Sequence, residues 1–541
     1  QEEIRSLGPS ERREIVDALL RAIQQGDDAQ RKAAADRLSS LCIFGIVSDV
    51  VPIEPLVALL RSTDRRLQEL AEYGLANTDG RALPVLLELL DDPDPSVRVG
   101  AASSLAHIGE PAAAAAQALR RKLHDPVAAV RKRAAFALGL IRAADLTSVD
   151  ALVAMARADD GSERASALHA LGNVSAFLDE ALRERVQVTA LAACADADAE
   201  ARWSSLFILR RLECPADVML PAAAAALHDA SSRVRSAALD CIEAMIGRID
   251  LAPLVPRLVQ LATDDGAGSW KAMEILGQDG SSASAATPAL RQLAAQSSNG
   301  ALIAADALWR ITQDPTEVLP VLDRAFEDDG ERVCDIVCGM GAAAAPLVPK
   351  ILDALGDDSY YDLQWAAADA LAAVAAADPV VIEALQRALR HASPRVSGAA
   401  ARALGNVGEA AVPALTAELA PPFADHAQFV ADALSRIGTA AISASTALRI
   451  AHRDGNWGLR AWSAIALAHI ASDPIGVKDL IKLIEAQNDD GPIRDAINAV
   501  AAIGAPAEAA LPALRRAKKH WDPEVVAEAE KAISAITQRA H

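Results

Sequence analysis

The sequence predicts an all-α protein assembled from a tandem array of helix pairs, and three observations carry that reading. Of the 541 residues, 52% are hydrophobic but only 3% aromatic, and much of the apolar share is alanine. That balance suits helix and lacks the aromatic and β-branched content of sheets. A large aliphatic position recurs at Leu38, Leu75, Leu105, Leu138, Leu171, Leu209, Ile242, Leu276, Leu308, Val337, Leu371, Leu404, Leu434, Leu467, Val500 and Ile533. These fifteen intervals cover 495 residues, 33 per unit, which is the signature of a repeat architecture. Short strings also align around that position: Val97-Arg98-Val99-Gly100-Ala101-Ala102, Val130-Arg131-Lys132-Arg133-Ala134-Ala135 and Val234-Arg235-Ser236-Ala237-Ala238.

Each unit reads as a first helix, a turn and a second helix. The first helix often opens on proline, as at Pro55, Pro84, Pro320 and Pro512. The missing N–H of proline has no partner to lose in a first helical turn. Turns rich in Asp and Gly follow, as in Asp91-Asp92-Pro93-Asp94, Asp125-Pro126, Asp328-Asp329-Gly330 and Asp522-Pro523. Their carboxylates can cap the second helix. With the valine of each string as position one, positions 1, 5, 8, 9 and 12 are apolar and share one face at 100° per residue.

The pattern Asp-Pro, then Val-Arg-x-x-Ala-Ala-x-Ala-Leu-Gly-x-Ile-Gly, resembles the HEAT repeat in its short bacterial, phycobilin-lyase-type form, over essentially the whole chain. The resemblance implies a right-handed α-solenoid of about 16 helix-pair repeats, with the second helices lining a concave inner surface. On this reading residues 1–541 are one continuous array, with an N-terminal cap unit at 1–40 and a C-terminal cap unit at 505–541. The long intervals after Leu38 and Leu171 mark insertions or bent units.

Charge narrows the function. With 53 Lys and Arg against 73 Asp and Glu, the formal charge is −20, which opposes generic binding to nucleic acid or to anionic membranes. No apolar run is read as a membrane span. Six cysteines (42, 194, 214, 241, 334 and 338) are scattered without a disulfide-like framework. The expected localisation is cytoplasmic, with a processed leader left open because the chain starts at Gln1 rather than Met.

Position two is arginine at Arg98, Arg131, Arg164, Arg202 and Arg235, and also at Arg31 and Arg460. These arginines are expected to pair with the Asp-rich turns of their own or adjacent units as a structural ladder, rather than to form a phosphate-binding row. From Ser269 onward the ladder mostly lapses.

Positions three, seven and ten point away from the apolar face, so packing does not dictate them, and the resemblance places them in the groove. Position seven reads Tyr73, Ser103, Phe136, His169 and Phe207, then Asp240, Glu274, Asp306, Asp335 and Asp369, with Arg402 before Asp432. Trp203, Trp270 and Trp365 occupy position three, and Trp309 position ten. With helices about 8–10 Å apart, five successive acidic sites would make a stripe on the order of 40 Å long. Trp270 with Glu274, Trp365 with Asp369, and Asp306 with Trp309 lie one turn apart, which sets an aromatic ring beside a carboxylate.

Catalytic signatures are missing. There is no phosphate-binding or dinucleotide glycine motif, no His-Glu-x-x-His, and no His-Glu dipeptide of the kind that marks HEAT-repeat iron hydroxylases. Cys334 and Cys338 form a helical pair with no histidine near them in sequence, and His124, His228, His391, His452 and His520 recur too far apart to share a metal. The expectation is therefore a non-enzyme without metal or cofactor. It would be a protein-binding scaffold or adaptor whose acidic, Trp-containing groove (Trp203, Phe207, Asp240, Trp270, Glu274, Asp306, Trp309, Asp335, Trp365 and Asp369) captures a basic protein or peptide. An immunity or antitoxin protein masking a cationic effector is a specific version. The alternative is a HEAT-like enzyme or ligand chaperone: an alkylpurine DNA glycosylase-like protein using Asp306 and the tryptophans, or a phycobilin-lyase-like protein holding a flat chromophore on Tyr73, Phe136, Phe207 and Trp203.

Overall fold

In a computed structural model, described for residues 2–78, 80–264, 266, 268–296, 300–357, 361–374, 377–486, 493–520 and 522–538, all regular structure is helical. The helices group into two compact units, Gln1–Ala283 and Ser284–His541. In the first unit the second helices of the pairs are α1 (Asp28–Ile43), α2 (Arg65–Ala76), α3 (Pro95–Ile108), α4 (Ala128–Leu140), α5 (Gly161–Val174), α6 (Ala199–Arg211), α7 (Ser232–Glu243) and α8 (Ser269–Asp279). In the second unit they are α9 (Gly300–Thr312), α10 (Gly330–Met340), α11 (Tyr361–Val374), α12 (Pro394–Val407), α13 (Ala427–Ile437), α14 (Trp457–Ala471), α15 (Ile493–Ile503) and α16 (Pro523–Gln538). Within each unit, successive second helices pack on one another and each first helix packs on its own partner.

The local reasons are those legible in the residues. Asp94 accepts a hydrogen bond from the Ser96 N–H to start α3, Asp160 accepts from Glu163 to start α5, and Asp198 accepts from Glu200 and Ala201 to start α6. The Ile-Gly that closes the repeat ends α3 at Gly109 and α13 at Gly438, with φ of 71° and 69°. A side chain resists that backbone region, which is why glycine stands there. The recurring aliphatic residue is the core: Leu105, Leu138, Leu171 and Leu209 are fully buried, each contributing roughly 1.5–3 kcal/mol of transfer free energy. Alanines at positions such as Ala101, Ala134 and Ala135 are also fully buried and let the helices approach closely.

The position-two arginines of the first unit tie consecutive turns together. Arg98 donates through Nε and Nη2 to both Asp125 oxygens at 2.9 and 2.8 Å, and through Nη1 to the carbonyls of Asp92 and Pro93 in its own turn. Arg164 repeats this with Asp196, at 2.6 Å to each oxygen, and Arg202 with Asp229 at 2.6 and 2.8 Å. Arg131 pairs with Glu163 in the first turn of α5. Arg235 holds the carbonyls of Asp229 and Ala230, and no carboxylate pairs with it among the described residues. The bidentate pairs hold Asp196 and Asp229 below the usual carboxylate range.

One stretch departs from the expected absence of long apolar runs. Residues Gly330–Leu355 are long and apolar enough to cross a membrane by length and composition. The structure breaks that stretch at Gly341, where φ is 57°, into α10, a short 3-10 segment and the next first helix, Val348–Leu355, all packed into the second unit's array.

Candidate interaction surface

Positions three, four and seven of α4, α5 and α6 share a face because these helices stack in register. They bring Phe136, His169, Trp203 and Phe207 into a row. His169 lies 6.2 Å from Phe136, 5.8 Å from Trp203 and 6.1 Å from Phe207, with ring planes within 20° of one another; Trp203 and Phe207 are 5.6 Å apart at 8°. Cations flank the row. The Arg233 guanidinium lies 3.9 Å from the Trp203 ring centre and is held by Glu200 at 2.5 Å, while Arg133 and Arg211 approach Phe136 and Phe207 at 5.5 and 5.6 Å. Phe136, His169 and Trp203, with Lys132, Arg133 and Arg233, line a cleft of about 520 Å³. Burial and the Arg233 charge lower the His169 pKa, so its ring is neutral at neutral pH.

Toward the end of the first unit the face turns acidic. Asp240 lies 3.7 Å from the Lys271 ammonium, which pairs more closely with Glu243 at 2.6 Å. Trp270 is 51% exposed. Glu274, one turn on, is also exposed and makes no ion pair among the described residues.

In the second unit most of the acidic residues have intramolecular cations. Asp306 pairs with Arg310 at 2.9 Å, Asp369 with Arg402 at 2.9 Å, and Asp432 with Arg436 at 3.0 Å. Trp365 is half-buried, and the Arg395 guanidinium sits 4.5 Å from its ring centre. Asp335 differs: it is exposed on α10 and makes no ion pair among the described residues. Partial burial raises its pKa; Arg332 opposes the rise, while the charges of Asp329 and Asp369 add to it.

Trp309 requires a correction. The helical wheel sets position ten on the open face, but Trp309 is only 7% exposed, and its Nε1–H donates to the Gly339 carbonyl of α10 at 3.2 Å. A large ring gains more by filling the space between neighbouring helices than by standing in water, and its indole N–H finds a backbone carbonyl there. Trp309 therefore presents no ring to a partner, and the pairing of Asp306 with Trp309 does not exist as a surface feature. Of the three acid–aromatic pairs, only Trp270 with Glu274 has both members exposed.

The sequence reading passed over Lys132, Arg133 and Arg233, which lie beside the aromatic row. The available signal was basic residues at positions three and four of the unit whose position seven is Phe136, and just before position one of the unit that follows Phe207. No group of three potential metal ligands occurs among the described residues. Burial pushes the thiols of Cys42, Cys241 and Cys334 up to about 12, and those of Cys194 and Cys338 up to about 11. None is an activated nucleophile.

Sequence comparison matches the profile of HEAT repeats to residues 53–127, 83–172 and 348–435. No curated protein matches the chain. Among solved structures, importin beta is similar at 14% identity with a TM-score of 0.46, covering 96% of this chain and 77% of that one. Kap121p is similar at 12% identity and a TM-score of 0.47, covering 97% and 76%. Kap121p bound to the SUMO protease Ulp1p gives 13% and 0.47, covering 97% and 74%.

Proposed function

Since this chain is a HEAT-repeat protein, we propose that it is a non-catalytic protein-binding scaffold whose inner helices take a basic protein or peptide. The observation that carries the proposal is the exposed Trp270 beside the exposed, unpaired Glu274 on α8. A ring and a carboxylate one turn apart offer a Lys or Arg side chain cation–π contact and charge together. Asp335 supports the same reading in the second unit, since a partner cation would relieve a carboxylate whose charged form partial burial disfavours. The remaining acids of the predicted stripe contribute general negative potential, because their own arginines and lysines already hold them.

The test is capture of a fluorescent nona-arginine peptide by the full chain, read by anisotropy. Affinity should fall as ionic strength rises, because the attraction is between exposed charges. Glu274→Lys combined with Asp335→Lys should weaken capture at least about tenfold, a change of roughly 1.4 kcal/mol. Asp159→Lys with Asp353→Lys changes the net charge equally at exposed sites elsewhere and should leave capture nearly unchanged. Equal losses in the two double variants would overturn the proposal, leaving only non-specific attraction to an acidic protein.

A further inference from the structure

We infer that the cleft across α4, α5 and α6 is a binding site for a small planar aromatic anion: a flat ring system carrying one carboxylate, sulfonate or phosphate. This site is separate from the one proposed for a basic partner and carries the opposite charge preference.

Shape is the first argument. The cleft of about 520 Å³ falls within the roughly 300–1,000 Å³ typical of small-ligand pockets. Its wall is a row of near-parallel rings from three successive repeats, Phe136, His169 and Trp203, each partly open to solvent. Flat apolar surface presented this way suits a flat ligand, and a neutral imidazole in the row adds stacking area without a charge to desolvate.

Charge is the second argument. Lys132 and Arg133 lie on α4 one turn before Phe136 and are half-buried; neither forms an ion pair among the described residues, although the Lys132 charge reaches Asp160 and Arg133 lies over the Phe136 ring. Lys132 donates one hydrogen bond, to the Ser162 hydroxyl at 3.2 Å, which leaves further N–H groups on its ammonium. Their neighbour Arg131 is committed to Glu163 and Arg233 to Glu200. Of the other charged side chains lining the cleft, Glu200 is matched by Arg233 and Asp198 caps α6, so the lining stays net positive through Lys132 and Arg133 in a chain of charge −20. They repel a basic peptide and favour an anion held at the Phe136 end of the wall, with its ring system running toward Trp203.

Isothermal titration of the full chain with naphthalenesulfonate tests this site. Saturable one-to-one binding is expected. Lys132→Gln with Arg133→Gln should weaken it at least tenfold, and Trp203→Leu should weaken it comparably while the far-UV spectrum stays helical. Indole, a ring without an anion, and inorganic sulfate, an anion without a ring, should each compete poorly. Glu274→Lys with Asp335→Lys should leave binding unchanged, so failure here and failure of the scaffold proposal are distinguishable. The inference is overturned if binding does not saturate, if the double glutamine variant binds as well as the parent chain, or if sulfate displaces the probe at comparable concentration.

Discussion

Arg98 and Asp125 show how one residue can bind two repeats. Their side chains are only 9% and 4% exposed, and four of the arginine's five N–H groups are divided between a carboxylate in the next turn and two carbonyls in its own. Burial alone would raise the Asp125 pKa, but the Arg98 hydrogen bonds and the Val127 N–H outweigh it and lower the pKa overall. Asp125→Ala leaves the guanidinium buried without its counter-charge. The expected cost is about 3 kcal/mol, seen as a lower urea midpoint for the first unit. Asp92→Ala should cost less, because it removes a pair with the half-exposed Arg61 guanidinium and the bond from the Asp94 N–H but leaves the Asp92 carbonyl that Arg98 uses. Equal losses would refute the ladder's energetic role. The sequence exposed these arginines through their period; it could not say that Arg235 would hold carbonyls alone.

Among the elements, the second helices carry both the packing and the recognition surface, and small residues set how closely they approach. A Cβ on Gly139 of α4 would lie 2.9 Å from the Cα of Ala170 on α5, inside any real contact distance. Backbone cannot yield as a flexible side chain would, so Gly139→Val should separate the two helices. Overpacking of this kind typically costs about 1–3 kcal/mol. Because the same helices carry Phe136 and His169, the variant should also disturb the aromatic row. Near-ultraviolet circular dichroism against thermal unfolding checks this, and a variant as stable as the parent would show that the contact is not limiting. Helix identity was legible here from capping aspartates and apolar spacing. The wheel failed at Trp309, because it describes one helix in water and omits the neighbour that covers the ring.

At the scale of the whole molecule, titration links the two units to pH. Burial is the leading cause of lowered pKa at His107 and His169 in the first unit and at His469 in the second. An unfolded histidine titrates near 6.5. Between that value and the lower folded one, the unfolded chain binds more protons, so stability falls as pH drops below 6.5. The raised carboxylates Asp279, Asp335 and Asp495 act in the opposite sense, but nearer the carboxylate range. The urea midpoint should therefore be lower at about pH 5.5 than at about pH 7.5, and His169→Phe should shrink the difference. A midpoint that rises on acidification would contradict the assignment of neutral buried histidines.

The sequence by itself determined the helix-pair period, the turn chemistry, the buried aliphatic positions and the acidic balance. Each is a local or compositional property that repeats and so reinforces itself from unit to unit. Tertiary packing decided which polar and aromatic side chains stay available. It buried Trp309, and it committed Asp306, Asp369 and Asp432 to arginines of their own or neighbouring helices. It also set Lys132 and Arg133 beside a wall of rings drawn from three repeats. The physical reason is that helical periodicity fixes the direction a side chain leaves its own axis, whereas its burial and its partners depend on the helices on either side.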